Sequence, residues 1–327
     1  MNNRKNKKII FISFIMLLTT IICGCKSNKE ELNIELNKGS VAILKEGNYE
    51  IFNLIDGIYE KLSTDYIITS YDSKSKNFIF NRDGEFNVYY CGEERSIDEN
   101  NEIYYPDLSP GGNYISYFTK DSYLKLNVKD IKENKNILIE SDVAISGSLV
   151  KWYNEEMLVY YGVDSNKNNG IFIYNINSNE EQLIYKLDSG YIEYLEVLDD
   201  GVVFIQEKEG KQKTLKFINQ YYEETEAIEN IVDVSDVEYT KDGIYIIGKM
   251  EDNNYSLYCY NDGNIKRLVY DFPKIIDLDK GLSIDSNGNI LFIGGNEPRV
   301  ERVYVCEAGA VSELSNEEGE YFFIEYK

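Results

Sequence analysis

The chain has 327 residues with 34 basic and 57 acidic side chains, which gives a formal net charge of −23 at pH 7. A field of this sign repels phosphate backbones and excludes nucleic acid as a partner. Apolar residues make up 43% of the chain, enough for a large core, while the absence of histidine excludes Ser-His-Asp catalysis and the usual zinc sites.

The N-terminal segment has the pattern of an export signal. Four basic residues, at positions 4, 5, 7 and 8, precede an uncharged run of 14 residues from Ile9 to Ile22. A transmembrane helix needs about 20 apolar residues, whereas the apolar core of a signal peptide needs about 7–15. We therefore predict a signal peptide over residues 1–24.

The run ends in Ile22-Cys23-Gly24-Cys25, which resembles the lipobox of bacterial lipoproteins. The resemblance implies lipidation of Cys25, a lipidated cysteine and polar tether over residues 25–38, and a location on the extracellular face of the cell membrane. Two acyl chains give stable attachment to a bilayer. An ordinary signal peptide with incidental cysteines and a short uncleaved anchor are the alternatives.

Short apolar strands recur from residue 39 onward at nearly constant spacing. The positions at which successive units begin are separated by 38, 36, 44, 44, 42 and 46 residues, a mean of about 42. This is the blade length of a four-stranded β-propeller. The positions are Gly39, Asn77, Asn113, Met157, Gly201, Gly243 and Asn289.

Other strands surround each of these units, with Asn, Asp and Gly turns between them. We predict an all-β fold: a single β-propeller of about seven four-stranded blades over residues 39–327, with six or eight blades as alternatives. The first unit has three strands, and residues 321–327 form a strand left over after the seventh unit. We expect this C-terminal strand to close the propeller as the innermost strand of the first blade.

The third unit, PDLSPGGNYISYF at 106–118 followed by YLKLNVKDIKENKNILIE, resembles a TolB-type propeller repeat. That family's pattern is a small-polar-Pro-Asp-Gly turn, an apolar strand, and a strand that ends in an acidic turn. Gly111 stands where the family usually has Asp, while Asp200-Gly201 and Asp242-Gly243 match the pattern better. The resemblance implies the architecture and says little about activity, because propellers serve many unrelated functions.

Few side chains offer catalytic chemistry. The sequence has no Gly-rich phosphate loop and no nucleophile elbow, so carboxylate chemistry or calcium-assisted hydrolysis is what remains open. Residues 164–170 carry oxygen ligands at alternate positions, as calcium loops do, but the glycine falls one place late, which favours a plain hairpin loop. No metal ligands are assigned. We expect small buried apolar roles for Cys91, Cys259 and Cys306.

Alignment of the units on their turns gives a charged column along the predicted inner strands: Asp107, Lys151, Glu196 and Glu238. Because side chains alternate along a strand, this column should face the central channel, with further acidic charge from Glu193 and Asp236. The apolar column beside it should pack between blades; it contains Leu108, Trp152, Val197 and Tyr239. Such a channel could hold a cation, an amine or a basic peptide segment. The alternative is a solvated channel without specific binding.

These patterns favour a membrane-anchored surface lipoprotein whose propeller is a non-enzymatic binding or scaffold module. We expect no cofactor, and a protein or peptide as the ligand. The alternative is a calcium-assisted propeller hydrolase or lactonase that uses the channel carboxylates. A third hypothesis is a sensing partner of a neighbouring membrane protein.

Overall fold

The computed structural model of the protein describes residues 34–98, 101–120, 122–198, 201–208 and 213–327. The predicted signal peptide and Cys25 lie outside these ranges. Residues 35–327 belong to one compact unit. Within the described ranges, no helix has the length and apolar character that a bilayer span requires.

Nearly all regular structure is β-strand. The strands of the first half are β1 (Val41–Lys45), β2 (Asn48–Ile55), β3 (Ile58–Leu62), β4 (Ile67–Tyr71), β5 (Phe78–Arg82), β6 (Glu85–Tyr90), β7 (Glu93–Ser96), β8 (Tyr104–Leu108), β9 (Tyr114–Lys120), β10 (Leu124–Asp130), β11 (Lys135–Ile137), β12 (Ala144–Trp152), β13 (Met157–Val163), β14 (Asn169–Asn175) and β15 (Glu180–Lys186).

The second half continues in the same way. A single-turn 3-10 helix at Leu278–Lys280 lies between β23 and β24. The strands are β16 (Tyr191–Leu198), β17 (Gly201–Glu207), β18 (Lys213–Asn219), β19 (Glu224–Thr240), β20 (Gly243–Met250), β21 (Tyr255–Asn261), β22 (Asn264–Arg267), β23 (Ile275–Ile276), β24 (Leu282–Ile284), β25 (Ile290–Gly295), β26 (Arg302–Glu307), β27 (Ala310–Glu313), β28 (Glu320–Phe323) and β29 (Glu325–Tyr326).

Consecutive strands pair antiparallel and form four-stranded groups. Three sheets have the orders β28-β1-β2-β3, β11-β10-β9-β8 and β12-β13-β14-β15. A fourth consists of β4-β5-β6-β7 with β29 added parallel to β4. In a fifth, β25-β26-β27 carries both β23 and β24 on the free edge of β25.

The largest sheet runs from β16 to β22 and has seven strands, because β19 belongs to two neighbouring groups. The first half of this 17-residue strand pairs with β18 and its second half pairs with β20. The two pairings meet at Ile231, and the preceding Asn230 has a left-handed backbone with a φ of 63°.

The first sheet contains strands from distant parts of the sequence. β28 pairs antiparallel with β1, with Tyr321 opposite Ile43 and Phe322 opposite Ala42. The Tyr321 ring is fully buried in a cluster that also contains Leu291 and Ile293 of β25. The sheet that holds β1 therefore packs against the sheet that holds β25.

Tight hairpins connect many of the strands. Asp83-Gly84 and Asp262-Gly263 each form a two-residue turn in which both residues have positive φ, 55° and 88° in the first and 50° and 77° in the second. Such turns match the right-handed twist of a strand pair, and Asp-Gly suits them because both residues adopt positive φ readily. These two Asp-Gly pairs therefore set the ends of the strands that they join.

The prediction that Cys91 is buried was wrong, because this residue lies in a tight turn. Cys91 is the first residue of a two-residue turn between β6 and β7, with φ of 48°, and its side chain is exposed. Cys306 is buried as expected, and Cys259 is half-buried.

The hydrophobic core lies between successive sheets. Central strands are covered on both faces, so every residue of β25 is buried, whereas outer strands such as β22 and β27 are mostly exposed. Side chains of β13 and β14 pack on those of β16 and β17, and β17 and β18 pack in turn on β19 and β20. This stacking directs the first strand of each group towards a shared central space.

Candidate functional site

A cavity of about 680 Å³ lies among strands that belong to five sheets. Its wall is formed by the ends of β12, β16, β19, β24 and β28, together with the segment that follows β28. Lys38, which precedes β1, also lines it. We call this space the central cavity.

The central cavity contains three of the four residues in the predicted charged column. Lys151, Glu196 and Glu238 line its wall. Asp107 is not among the lining residues, but its Oδ1 lies 2.9 Å from Nζ of Lys327, which does line the cavity. The structure thus brings three of the four predicted positions together at one cavity.

Lys151 and Glu196 neutralise each other. Lys151 Nζ lies 2.5 Å from a carboxylate oxygen of Glu196. Burial alone lowers the pKa of Lys151, but the negative charges of Glu196, Glu325 and Asp107 outweigh burial and raise it above its ordinary value. The Lys151 side chain is therefore a fixed positive charge at neutral pH.

Lys327 bridges two further carboxylates. Its Nζ lies 2.9 Å from Asp107 and 2.7 Å from Glu325. Burial and the neighbouring charge of Glu325 raise the pKa of Asp107 to about 6. Burial also acts to raise the pKa of Glu325, but Lys327 and Lys151 hold it below its ordinary value. Sequence analysis missed Lys327 and Glu325, because the last strand follows the seventh unit and has no repeat to be aligned with.

Asp236 connects three successive inner strands. Its Oδ1 accepts hydrogen bonds from the Tyr194 hydroxyl on β16 and from the backbone N–H of Val237, both at 2.9 Å. Its Oδ2 accepts a 2.8 Å bond from the Leu282 N–H on β24. Burial and the charge of Glu196 raise the pKa of Asp236 to about 6, although these hydrogen bonds act in the opposite direction. The Asp236 carboxylate therefore holds β16, β19 and β24 together through hydrogen bonds.

Asp236 and Glu238 are the two wall carboxylates without a lysine partner in the described ranges, but only Asp236 accepts hydrogen bonds from neighbouring strands, whereas none is found for Glu238. Over the described ranges it forms no salt bridge. Burial, followed by the charges of Asp236 and Glu196, raises its pKa to about 8, and the positive charge of Lys38 only partly offsets this. Glu238 is therefore a carboxyl group in the cavity wall whose charge changes close to neutral pH.

The apolar column follows the prediction at two positions and departs from it at one. Leu108 and Trp152 are buried, and the Trp152 indole N–H donates to the Asp107 carbonyl at 3.2 Å. Val197 is half-buried. Tyr239, by contrast, is 48% exposed and lines the central cavity, so the prediction that it packs between blades was wrong. It lies near the end of β19, where no neighbouring sheet covers the strand.

The described residues contain no group of three Asp, Glu, Cys or His side chains arranged to hold a metal ion. In the loop at residues 164–170, Asp164 accepts 2.7 Å hydrogen bonds from both the backbone N–H and the side-chain amide of Asn168. These bonds lower the pKa of Asp164. Glu193 forms a 2.5 Å salt bridge with Lys213, away from the central cavity.

No protein-family model and no curated protein matches the chain. Among solved structures, it is similar to the uncharacterized protein lmo1340 from Listeria monocytogenes, with 13% identity, a TM-score of 0.57, and 88% of this chain and 98% of that chain covered. The β-propeller domain of the Trilobed protease from Pyrococcus furiosus matches with 15% identity, a TM-score of 0.50, and 77% and 84% coverage. The chain has a propeller-like fold.

TolB from Acinetobacter baumannii is also among the structural neighbours, with 12% identity, a TM-score of 0.43, and 84% of this chain and 77% of that chain covered. The neighbours thus include both a TolB protein and the propeller domain of a protease. At these identities the likeness concerns the fold and leaves the activity open.

Proposed function

We propose that the protein is a membrane-anchored, non-enzymatic binding propeller whose central cavity receives a positively charged group of a protein or peptide ligand. One observation carries this proposal. In the described part of the chain, Asp107 and Glu325 share Lys327, and Glu196 pairs with Lys151, whereas Glu238 has no lysine or arginine partner. A ligand cation is the natural complement of that carboxylate.

A ring of blades is part of the proposal, because it makes the central cavity a channel. The seven four-stranded groups would be seven blades, with β19 shared by the fifth and the sixth. Two observations support the ring: β28 pairs with β1, and Val41 of the first group packs in one cluster with Leu291 of the last. A TolB-like propeller is the form of ring that the third sequence unit favours.

A lysine side chain or another primary amine has suitable chemistry for this site. An ammonium group supplies three hydrogen-bond donors, and a carboxylate accepts them most strongly when it is ionised. Because the pKa of Glu238 is raised to about 8, an amine that binds at pH 7 would drive a proton off the carboxyl group. The exposed Tyr239 ring beside it offers a face for the cation or its methylene groups.

The proposed place of this propeller is the extracellular face of the cell membrane, held by lipid on Cys25. The support is the sequence alone: the basic segment, the 14-residue apolar run and the lipobox-like Ile22-Cys23-Gly24-Cys25. A non-enzymatic role is supported by the absence of histidine and by the lysine partners of Glu196 and Glu325, two of the four carboxylates that line the cavity.

The test is a calorimetric titration of the full chain in detergent with a tetralysine peptide. Parallel titrations at pH 7 in two buffers of different ionisation enthalpy measure the protons released on binding. We expect the wild type to release a fraction of a proton, and Glu238→Gln to bind about tenfold more weakly without proton release. Glu60→Gln, an exposed position on β3, is the matched control. Equal binding by Glu238→Gln and the wild type would overturn the proposal.

A further inference from the structure

A second cavity of about 270 Å³ lies over strands β19 to β22, apart from the central cavity and sharing no lining residue with it. Its lining combines both signs of charge with an apolar floor. The charged and apolar parts of the lining are formed by Glu229, Met250, Glu251, Tyr258, Ile265 and Arg267.

The change of pairing along β19 places the two acidic residues on one side. Asn230 has a left-handed backbone, and its carbonyl accepts a 2.8 Å hydrogen bond from the N–H of Glu251, which follows β20. This bond holds Glu251 next to Glu229, the residue before Asn230. Both side chains are exposed, and neither forms a salt bridge within the described ranges.

Arg267 lies on the other side, at the end of β22. It is directly opposite Tyr258 of β21, and its Nε donates a 2.8 Å hydrogen bond to the Val269 carbonyl. The guanidinium group also lies over the Tyr270 ring, 4.9 Å from its centre. Arg82 and Arg95 have carboxylate partners, but Arg267 has none among the described residues. Its other N–H groups form no hydrogen bond to the described residues.

The floor between these charges is apolar. Met250 and Tyr258 are buried, and the Tyr258 hydroxyl is occupied by a 2.5 Å bond to the Asn254 carbonyl. Ile265 adds a partly exposed aliphatic side chain on β22. The floor therefore offers packing and no strong free hydrogen-bonding group.

We infer that this second cavity binds a small zwitterion, namely a free α-amino acid with an apolar side chain. Its carboxylate would pair with Arg267, its ammonium group with Glu251 and Glu229, and its side chain would lie on Met250 and Ile265. Arg267 and the two acidic residues line the same cavity of about 270 Å³, so a zwitterion bound there meets both signs of charge. This site is independent of the function proposed for the central cavity.

The test compares three probes of similar shape: L-leucine, 3-methylbutylamine and 4-methylpentanoate. The amine lacks the carboxylate and the acid lacks the ammonium group. Calorimetry and thermal shift on the full chain in detergent should show L-leucine binding at least tenfold more tightly than either analogue. Equal responses to all three probes, or a dissociation constant for L-leucine weaker than about 10 mM, would overturn the inference.

Two variants identify the two ends of the site. Arg267→Gln should abolish the preference for L-leucine over the amine, and Glu251→Gln should reduce its preference over the acid, because only Glu229 then remains for the ammonium group. Arg299→Gln is the control, because Arg299 is exposed and does not line the cavity. Glu251 is also exposed, so Glu251→Gln should fold even if Arg267→Gln does not. An unchanged probe preference in Glu251→Gln contradicts the assignment.

Discussion

The Tyr194 hydroxyl donates a 2.9 Å hydrogen bond to Asp236, and so connects β16 to β19 at the wall of the central cavity. The same carboxylate accepts the backbone N–H of Leu282 on β24. Three neighbouring inner strands are therefore held by one side chain.

Replacing Tyr194 with Phe should destabilise the protein by about 1–2 kcal/mol, because Asp236 loses one donor and the buried carboxylate is less well satisfied. The free energy of unfolding in urea measures the change. Tyr191→Phe is the control, since the Tyr191 hydroxyl bonds to Glu207 at an exposed position. If both variants lose the same stability, the hydrogen bond between Tyr194 and Asp236 contributes no more than an exposed hydrogen bond does.

Stability should fall as pH rises from about 4.5 to 8. The pKa of Glu238 is raised from 4.5 to about 8, and that of Asp236 from 3.8 to about 6. The folded state therefore keeps protons that the unfolded chain releases, and this advantage disappears once pH exceeds the folded pKa values. Urea denaturation at a series of pH values measures the slope.

The Glu238 contribution to that slope can be isolated. Glu238→Gln should gain stability over the wild type as pH rises towards 8, by at most about 4 kcal/mol, since one pKa unit corresponds to about 1.4 kcal/mol. Glu60→Gln should follow the wild-type curve. A Glu238→Gln curve parallel to that of the wild type would contradict the raised pKa.

Removing the charge of Lys327 should be costly. Lys327→Met leaves the half-buried Asp107 and the more exposed Glu325 without their cation, a change that should cost about 1–3 kcal/mol. Adding Asp107→Asn should recover part of the loss, because one uncompensated charge is then gone. Lys186→Met, at an exposed position, is the control. Additive effects of the two changes would show that the ions act independently.

Deleting residues 321–327 should destabilise the whole propeller, since it removes most of β28 and exposes β1 as an edge. A cooperative shift of the urea transition to lower concentration is the expected result. A disulfide between cysteines placed at Leu44 and Glu320, which lie opposite each other, should shift the transition upward when oxidised. A truncated chain with an unchanged transition would argue against the ring.

Lipidation can be tested in cells through the two neighbouring cysteines. Cys25→Ser should abolish palmitate labelling and move the protein out of the membrane fraction, whereas Cys23→Ser should retain both properties. Labelling that survives Cys25→Ser would remove the proposed anchor.

Most of the strands could be predicted from turn residues and from the alternation of side chains along the sequence. Asp-Gly turns define hairpin ends such as Asp83-Gly84, and alignment of the units grouped Lys151 with Glu196, two residues that the structure brings together at the central cavity. The partners of those charges could not be predicted in the same way. Lys327 reaches Asp107 because β29 lies beside β4, a long-range pairing that leaves no periodic mark in the sequence.

The second cavity could not be predicted from the sequence either. It depends on the left-handed backbone of Asn230 and on the loop after β20, and neither changes the spacing of the repeat. The exposure of Tyr239 was missed because alternation along a strand predicts the face of a side chain but not whether a neighbour covers it.

The continuity of β19 has a mechanical consequence. A single backbone passes from one four-stranded group to the next without an intervening loop, so these two groups cannot hinge apart without breaking strand pairing. If the central cavity opens to admit a large ligand, it must open at another junction, where a loop joins two groups of strands. Amide hydrogens in the first half of β18 and the second half of β20, which pair with β19 next to this passage, should accordingly be among the slowest to exchange with solvent deuterium.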